Sequence, residues 1–103
     1  MNILKTVLRT GLLIMVTVIL FSFGCSVNGA SLYQKEGCNN CHKFKGTGGS
    51  IGPNLTGVTK KRSDKWLKQQ IKNSGVNNPN STMPGFEHLS DKEIQALINY
   101  LKS

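Results

Sequence analysis

The chain has 103 residues and a formal net charge of +8, with thirteen Lys and Arg against five acidic residues. Its length admits one domain. The first thirty residues differ in composition from the rest, which leaves about 73 for that domain. So small a domain buries too little apolar surface to be stable through its core alone, and we expect a covalent staple, a metal or a cofactor.

The N-terminal segment has the layout of a secretory signal. Lys5 and Arg9 precede an apolar run over residues 12–23, which one Thr and one Ser interrupt, and small residues follow. We predict a signal peptide over residues 1–24 and export to the outer face of the cytoplasmic membrane or the periplasm. The run is shorter than the roughly 20 apolar residues of a membrane span. Extending it over residues 11–27 leaves an uncleaved anchor as the alternative.

Cys25 lies in a partial match to a lipoprotein site, Gly24-Cys25-Ser26, where it would be lipidated and become the new N-terminus. Cleavage after Gly29 or Ala30 is the alternative, and it would discard Cys25. We favour lipidation, and hence a lipid anchor in the membrane, because a lone thiol in an exported chain otherwise lacks a purpose. The predicted boundaries are a signal over 1–24, a short linker over 25–31 and a domain over 32–103.

The run Cys38-Asn39-Asn40-Cys41-His42 predicts covalent attachment of one haem c. A C-x-x-C spacing alone also fits a redox dithiol or half a zinc site, but the added His is the c-type haem signature. Each thiol adds across one haem vinyl group to form a thioether, and His42 then lies under the ring as an iron ligand. A zinc site would need more Cys or His ligands, and only His88 is left.

Met83 is the predicted second axial ligand of the iron. It is the only Met expected in the mature domain and lies in a turn-rich loop, residues 77–86, where Pro84 restricts it to an extended conformation. A core Met would more often lie on a periodic apolar face. Met/His ligation raises the reduction potential of a haem. His88 is the competing ligand.

Three helices are predicted from N-terminal caps and apolar periodicity. The caps are Ser31 with Gln34, Ser63, and Ser90 with Glu93. The second helix has one face formed by Trp66, Leu67, Gln70 and Ile71, and Gly75 is predicted to end it. The last helix has one buried stripe formed by Ile94, Leu97, Ile98 and Leu101. The long loop over residues 46–55 is consistent with wrapping a flat cofactor.

This pattern resembles the class I c-type cytochromes, especially small bacterial ones exported on a membrane anchor. The resemblance covers residues 32–102 and rests on Gly37, the Cys38-to-His42 run, Gly52-Pro53-Asn54-Leu55, Trp66-Leu67, Met83-Pro84 and the last helix. It implies an all-α cytochrome c fold, in which three to four short helices and long loops wrap one covalently bound haem. It also implies a monomeric electron-transfer protein and no enzyme.

The resemblance also implies roles for single residues. The Pro53 carbonyl would accept a hydrogen bond from His42 and fix its ring orientation. Leu55 and Trp66 would pack on or beside the haem, with the Trp66 indole near a propionate, although plain core packing of Trp66 is nearly as good an interpretation. Gly37 would allow the first and last helices to cross closely.

The region from Ser31 onward keeps eleven Lys and Arg against five acidic residues, a net charge of +6. Its basic residues include Lys43, Lys45, Lys60, Lys61, Arg62, Lys65, Lys68 and Lys72. We interpret them as a surface that docks acidic redox partners. A solvated helix face, or attraction to anionic lipid, is the alternative. Nucleic acid is not an expected partner of an exported haem protein.

The expected function is the transfer of single electrons from a quinol-oxidising complex to a terminal oxidase or another extracytoplasmic reductase. A haem peroxidase or a gas-binding sensor is one alternative, and it would need an open or displaceable sixth iron position. A tethered subunit that serves one larger redox complex is the other.

Overall fold

Short helices and loops make up the part of the chain that the computed structural model describes, residues 2, 3, 6 and 26–103. Within 26–103 the helices are α1 (Gly29–Lys35), α2 (Cys38–Cys41), α3 (Val58–Lys61), α4 (Asp64–Lys72), α5 (Ser74–Asn77) and α6 (Asp91–Leu101). The strands are β1 (Lys43–Phe44) and β2 (Thr47–Gly48). The predicted all-α class is confirmed. The helices outnumber the predicted three to four because α2, α3 and α5 are single turns of four residues.

Helix α1 begins earlier than the sequence pattern indicates. The side chain of Asn28 accepts a hydrogen bond from the backbone N–H of Ser31 at 3.1 Å, so Asn28 is the N-cap and the prediction of Ser31 was wrong. Val27 packs against the core. The folded domain therefore starts within the predicted linker, residues 25–31. Cys25 and nearly all of the predicted signal peptide lie outside the described residues.

Helix α6 is the longest described helix, with 11 residues. The Ser90 hydroxyl accepts from the Glu93 N–H at 3.1 Å, and the Glu93 carboxylate accepts from the Ser90 N–H at 3.0 Å, so the predicted capping box is confirmed. The predicted stripe is also confirmed, since Ile94, Leu97, Ile98 and Leu101 are all buried. No helix among the described residues is long and apolar enough to cross a membrane.

Gly29 permits the close packing of α1 on α6. A Cβ at Gly29 would overlap the backbone carbonyl of Ala96 and press on the Cβ of Tyr100. The sequence prediction assigned this role to Gly37 and was wrong. Gly37 lies after the end of α1, with φ of 76°, in a left-handed turn that leads into α2.

Helix α4 is capped as predicted, with the Ser63 hydroxyl accepting from the Trp66 N–H at 3.2 Å. Its end differs from the prediction. Asn73 leaves the helix with φ of −152° and ψ of 90°, and its side chain then caps α5. Gly75 therefore lies inside α5 and does not end α4, because Asn73 both ends one helix and begins the next.

A small antiparallel hairpin follows α2. Its two-residue turn, Lys45 and Gly46, has positive φ at both positions (50° and 84°), as a type I′ turn requires. Phe44 of β1 is buried, and its ring centroid lies 6.2 Å from that of Tyr33 and 5.2 Å from that of Tyr100. This packing fixes the start of the long loop relative to the α1–α6 pair.

Candidate haem site

A cavity of about 780 Å³ lies between the Cys38-to-His42 segment, the loop after the hairpin, α4 and the loop that carries Met83. Its volume is within the range of cofactor pockets. All the residues predicted from the sequence to attach, ligate or surround a haem line it: Cys38, Cys41, His42, Pro53, Leu55, Trp66 and Met83. The tertiary fold therefore brings together residues up to 45 positions apart.

His42 follows α2 in an extended conformation, with φ of −110° and ψ of 136°. Its Nδ1 lies 2.8 Å from the Pro53 carbonyl oxygen, which is the contact that the resemblance implied. A carbonyl oxygen can only accept, so Nδ1 carries the proton and donates. The lone pair of Nε2 is then available to iron, and the hydrogen bond fixes the tautomer and the ring orientation.

Gly52 allows the loop to approach this imidazole. A Cβ at Gly52 would lie 2.6 Å from His42 Cε1 and 2.8 Å from Nδ1, closer than side-chain packing permits. The backbone N–H of Gly52 donates to the Cys41 carbonyl at 2.7 Å. Hydrogen bonds at Gly52 and Pro53 thus tie the loop to the haem-attachment segment.

Cys38 and Cys41 are the first and last residues of α2, a spacing that places both side chains on one side of a single helical turn. Both thiols are free and half-buried. Burial raises the pKa of the Cys38 thiol to about 11, and the nearby Glu36 adds to the rise. The free thiol is therefore protonated at neutral pH, and a thioether would bury no ionisable group. Among the described residues, no three His, Cys, Asp or Glu side chains cluster as a metal-ion site.

Met83 is held by hydrogen bonds at its backbone and at its sulfur. The hydroxyl of Ser74, which is 3 % exposed, donates to the Met83 carbonyl at 3.1 Å. The Met83 N–H donates to the Ser81 hydroxyl at 3.3 Å. The Gln70 Nε2 donates to the Met83 Sδ at 3.8 Å, a long hydrogen bond to a sulfur acceptor. The sulfur is therefore oriented by α4.

Gln70 is itself fixed by Asn77. The Asn77 Nδ2 donates to the Trp66 carbonyl at 3.1 Å and to the Gln70 Oε1 at 3.2 Å. Because the Gln70 Oε1 accepts this hydrogen bond, its Nε2 is the atom that faces Met83. Sequence reasoning placed Gln70 on a helix face but missed this role, and it missed Ser74 and Asn77 altogether. The i, i+4 spacing of Trp66 and Gln70 was the only local signal.

His88 lies outside the cavity. Its side chain is 58 % exposed, and its Nε2 lies 3.0 Å from the Glu36 carboxylate, which is only 15 % exposed. Of the two ligands that the sequence left open, Met83 lines the cavity and His88 does not. The geometry favours Met83.

Two cations lie at the rim of the cavity beside Trp66. Lys61 and Arg62 both line it, and the Arg62 guanidinium lies 4.3 Å from the centroid of the Trp66 ring. From the sequence, both were expected only as surface charges. Positive groups at the rim suit the carboxylates of a haem, and the apolar walls formed by residues such as Leu55 and Leu97 suit its ring. The residues present therefore fit a covalently attached haem.

Comparisons with known proteins identify the family that this chain resembles. The family model for cytochrome c matches residues 26–103. The chain is 31% identical over 105 residues to a cytochrome c-553-like protein of Synechocystis sp., covering 88% of this chain and 93% of that protein. It is 26% identical over 83 residues to cytochrome c oxidase subunit 2 of Alkalihalophilus pseudofirmus. That match covers 73% of this chain but only 24% of the subunit, so the chain spans about a quarter of its length.

Proposed function

This chain belongs to the cytochrome c family, and from that premise we propose that it carries single electrons between respiratory components outside the cytoplasm. Proteins of this family bind haem c covalently and transfer electrons. The observation that carries the proposal is that His42 and Met83 line one cavity, each held by its own hydrogen bond. Two donors held in this way would let a bound iron change its charge without exchanging a ligand.

A haem attached at Cys38 and Cys41 and ligated by His42 and Met83 would supply the one-electron redox chemistry of its iron. The polypeptide would keep the side chains of His42 and Met83 in fixed orientations during the redox change. The Pro53 carbonyl keeps the His42 ring in one orientation, and the Gln70 amide does the same for the Met83 sulfur. Ile51 lines the cavity and is 84 % exposed, so the cavity reaches the surface there and an electron has a short route to a partner.

Carbon monoxide binding to the reduced protein tests this proposal. A carrier with two fixed ligands binds carbon monoxide slowly and incompletely under native conditions. Met83→Ala should bind it rapidly and stoichiometrically, and its reduction potential should fall on the order of 0.1 V, a fraction of the roughly 0.8 V range set by axial ligands. His88→Ala is the matched control and should leave both properties unchanged.

Two outcomes would contradict the carrier. Rapid, stoichiometric binding by the wild-type protein would favour a gas-binding sensor or a peroxidase instead. A Met83→Ala variant with an unchanged spectrum and potential would remove Met83 from the iron. If His88→Ala then changed both, His88 would be the ligand.

We place the proposed docking surface at the basic residues near the cavity rim. Lys72 pairs with Asp91 at 2.6 Å, and Lys102 pairs with Asp64 at 2.9 Å. In the described part of the chain, no carboxylate lies within 4 Å of the remaining basic groups of this region. These groups are Lys43, Lys45, Lys60, Lys61, Arg62, Lys65 and Lys68, of which Lys61 and Arg62 line the cavity. Unpaired charge of one sign attracts a partner of the opposite sign and raises its association rate.

The rate of oxidation by ferricyanide, an anionic oxidant, tests whether these positive charges attract a partner. Lys61→Glu, at the cavity rim, should lower the second-order rate constant several-fold at low ionic strength, because steering contributes about tenfold or more. The difference should disappear near 1 M salt, where the Debye length is about 3 Å. Lys92→Glu is the control, since it changes the same charge on α6 and does not line the cavity. If the two variants lowered the rate constant equally, the attraction would depend on the net charge alone and not on the position of the charge.

A terminal oxidase is the acceptor that we favour, because one similar protein is named as an oxidase subunit. The same similarity supports a second candidate, a dedicated subunit of such a complex. Co-purification through detergent and high salt would favour the subunit, and loss of the chain from the complex under those conditions would favour the diffusing carrier.

We propose a location on the outer face of the cytoplasmic membrane, with an anchor at Cys25. Helix α1 begins at Gly29 and Val27 packs on the core, so the stretch between Cys25 and the packed domain is a single residue, Ser26. An anchor at Cys25 would keep the domain close to the membrane. Mass spectrometry of the protein purified from its membrane gives the N-terminal residue, any acyl groups and the haem mass together. An unacylated N-terminus after residue 29 or 30 would contradict the anchor.

A further inference from the structure

His88 and Glu36 form an ion pair between two segments that both reach the haem cavity. The His88 Nε2 lies 3.0 Å from the Glu36 Oε2, across fifty-two positions of the chain. Glu36 ends α1 and stands just ahead of Cys38. His88 lies on the stretch that connects α5 to α6, residues 78–90, which we call the Met83 loop. Of the ion pairs in the described part of the chain, this is the one that joins the Met83 loop to α1.

The two partners differ in burial. The Glu36 side chain is only 15 % exposed, whereas the His88 side chain is 58 % exposed. A largely buried carboxylate has lost most of its hydration, and without a cation beside it the arrangement that buries it is destabilised. The free energy of this contact therefore depends on whether the exposed partner, His88, carries a charge.

A second carboxylate, Glu93 of α6, also faces His88. The hydrogen bond from the Ser90 backbone N–H is the main cause that lowers the pKa of Glu93, and the charges of Lys35 and His88 lower it further. Lys35 of α1 is the other cation of this neighbourhood, and in the described part of the chain it makes no ion pair with Glu36. A positive charge on His88 is therefore attracted from both helices, and Glu36 has no other cation within pairing distance.

The backbone beside His88 belongs to the wall of the cavity. Phe86 lines the cavity, and its ring centroid lies 5.9 Å from that of His88. The Phe86 N–H donates to the Ile71 carbonyl at 3.0 Å. Leu89 is buried, and its N–H donates to the Phe86 carbonyl at 3.1 Å. A loss of the contact between His88 and α1 would therefore weaken the attachment of the segment that follows Met83.

We propose that His88 and Glu36 form a pH-sensitive clasp, which fastens the end of the Met83 loop to α1 while the imidazole is protonated and loosens when the imidazole loses its proton. Imidazole is the side chain that ordinarily titrates between about pH 5 and 8, and carboxylates are ionised above about pH 5. The stabilisation is therefore complete at the acid end of this range and is lost as the pH rises through it. His88 lies outside the cavity, so the clasp acts on the loop and the reduction potential should not depend on it. The clasp does not rest on the proposed electron transfer.

A double-mutant cycle in the haem-loaded protein tests the clasp. Denaturant unfolding is compared for the wild type, His88→Gln, Glu36→Gln and the double variant at about pH 5.5 and about pH 8.5. At the lower pH the pair should be coupled by about threefold or more in the unfolding equilibrium constant, and at the higher pH the coupling should be clearly smaller. A cycle of His88→Gln with Glu87→Gln is the control, because Glu87 is exposed, adjoins His88 and makes no ion pair in the described part of the chain. It should show little coupling at either pH.

Amide hydrogen exchange supplies a second measurement, which reports on the loop itself. At about pH 5.5 the N–H groups of Phe86 and Leu89 should exchange faster in His88→Gln than in the wild type, and at about pH 8.5 the two proteins should differ little. The Arg62 N–H, which donates to the Val58 carbonyl in α3, should exchange alike in both proteins.

Three results would overturn the proposal. An absence of coupling between His88 and Glu36 at both pH values would show that the pair is no clasp. An equal coupling at both would show that it does not respond to pH. An equal coupling of His88 to Glu87 and to Glu36 would assign the effect to the net charge of the segment.

Discussion

The Nδ1 atom of His42 lies 2.8 Å from the carbonyl oxygen of Pro53, and Gly52 leaves the space that this contact needs. The two partners come from segments that are eleven residues apart, one ending α2 and the other inside the long loop. The hydrogen bond makes the imidazole a stronger electron donor at Nε2. It therefore links the loop conformation to the properties of the iron.

Gly52→Ala should weaken this hydrogen bond. The added Cβ would lie 2.6 Å from Cε1, so the ring or the loop must move. A poorer donor at Nε2 stabilises the ferric iron less, and the reduction potential should rise. We also expect a loss of about 1–3 kcal/mol in the free energy of unfolding, as for other overpacked sites. Voltammetry and denaturant titration of the haem-loaded protein measure the two effects.

Gly75→Ala is the control, because its Cβ would meet only the end of the Asn73 side chain at 3.3 Å. It should leave the potential unchanged. A Gly52→Ala variant with the wild-type potential would show that the Pro53 contact does not act on the iron.

Gln70→Leu should lower the reduction potential. The amide donor makes the Met83 sulfur a weaker donor to ferric iron, and its removal restores that donor strength. A hydrogen bond contributes about 1 kcal/mol, which for one electron is about 40 mV. Gln69→Leu is the control, since Gln69 lies on the same helix and does not line the cavity. Equal potentials for the two variants would contradict the role of Gln70.

Asn28→Ala should lower the free energy of unfolding by about 1 kcal/mol, because it removes the N-cap of α1. Ser31→Ala should change it by less than about 0.5 kcal/mol, since Ser31 contributes only its backbone N–H to the cap. Denaturant titration of the two variants tests whether Asn28 or Ser31 caps α1. A larger loss for Ser31→Ala would restore Ser31 as the cap.

The stability of the protein should fall at acid pH. The hydrogen bond from Lys72 lowers the pKa of Asp91, and the backbone N–H of Ser90 lowers the pKa of Glu93. A lowered folded-state pKa stabilises the fold above the ordinary values, 3.8 and 4.5, and this contribution is lost as the pH falls through the folded-state pKa.

Denaturant titrations between about pH 3 and 7 measure this loss. Asp91→Asn should reduce the slope of the free energy of unfolding against pH below about pH 4 and leave it nearly unchanged above about pH 5. Asp91 is exposed, so added salt should shrink the effect of the Lys72 pair. An unchanged slope in Asp91→Asn would show that its pairing does not contribute.

Local patterns made much of this protein predictable. The spacing of Cys38, Cys41 and His42 follows from the reach of two thiols and one imidazole around a single ring, so five consecutive residues indicate the cofactor. The stripe on α6 and its capping box depend on contacts three and four residues apart, which a sequence shows directly.

The wrong predictions for Gly37 and for Gly75 have a shared physical cause. Gly37 and Gly29 are both glycines close to α1, and only the path of α6 decides which of them lies at the crossing. Likewise, Asn is common both at the end of a helix and at an N-cap. That Asn73 does both becomes clear only once the position of α5 is known.

The sequence by itself determined the haem attachment, the helical class and the candidate axial ligands, because each depends on residues close together in the chain. The tertiary structure decided which candidates share a cavity. It put Met83 beside Gln70, thirteen residues away, and His88 beside Glu36, fifty-two residues away. It also left the Tyr33 hydroxyl without a partner inside the haem cavity. Such contacts depend on how the loops close over the core, and no local spacing encodes that closure.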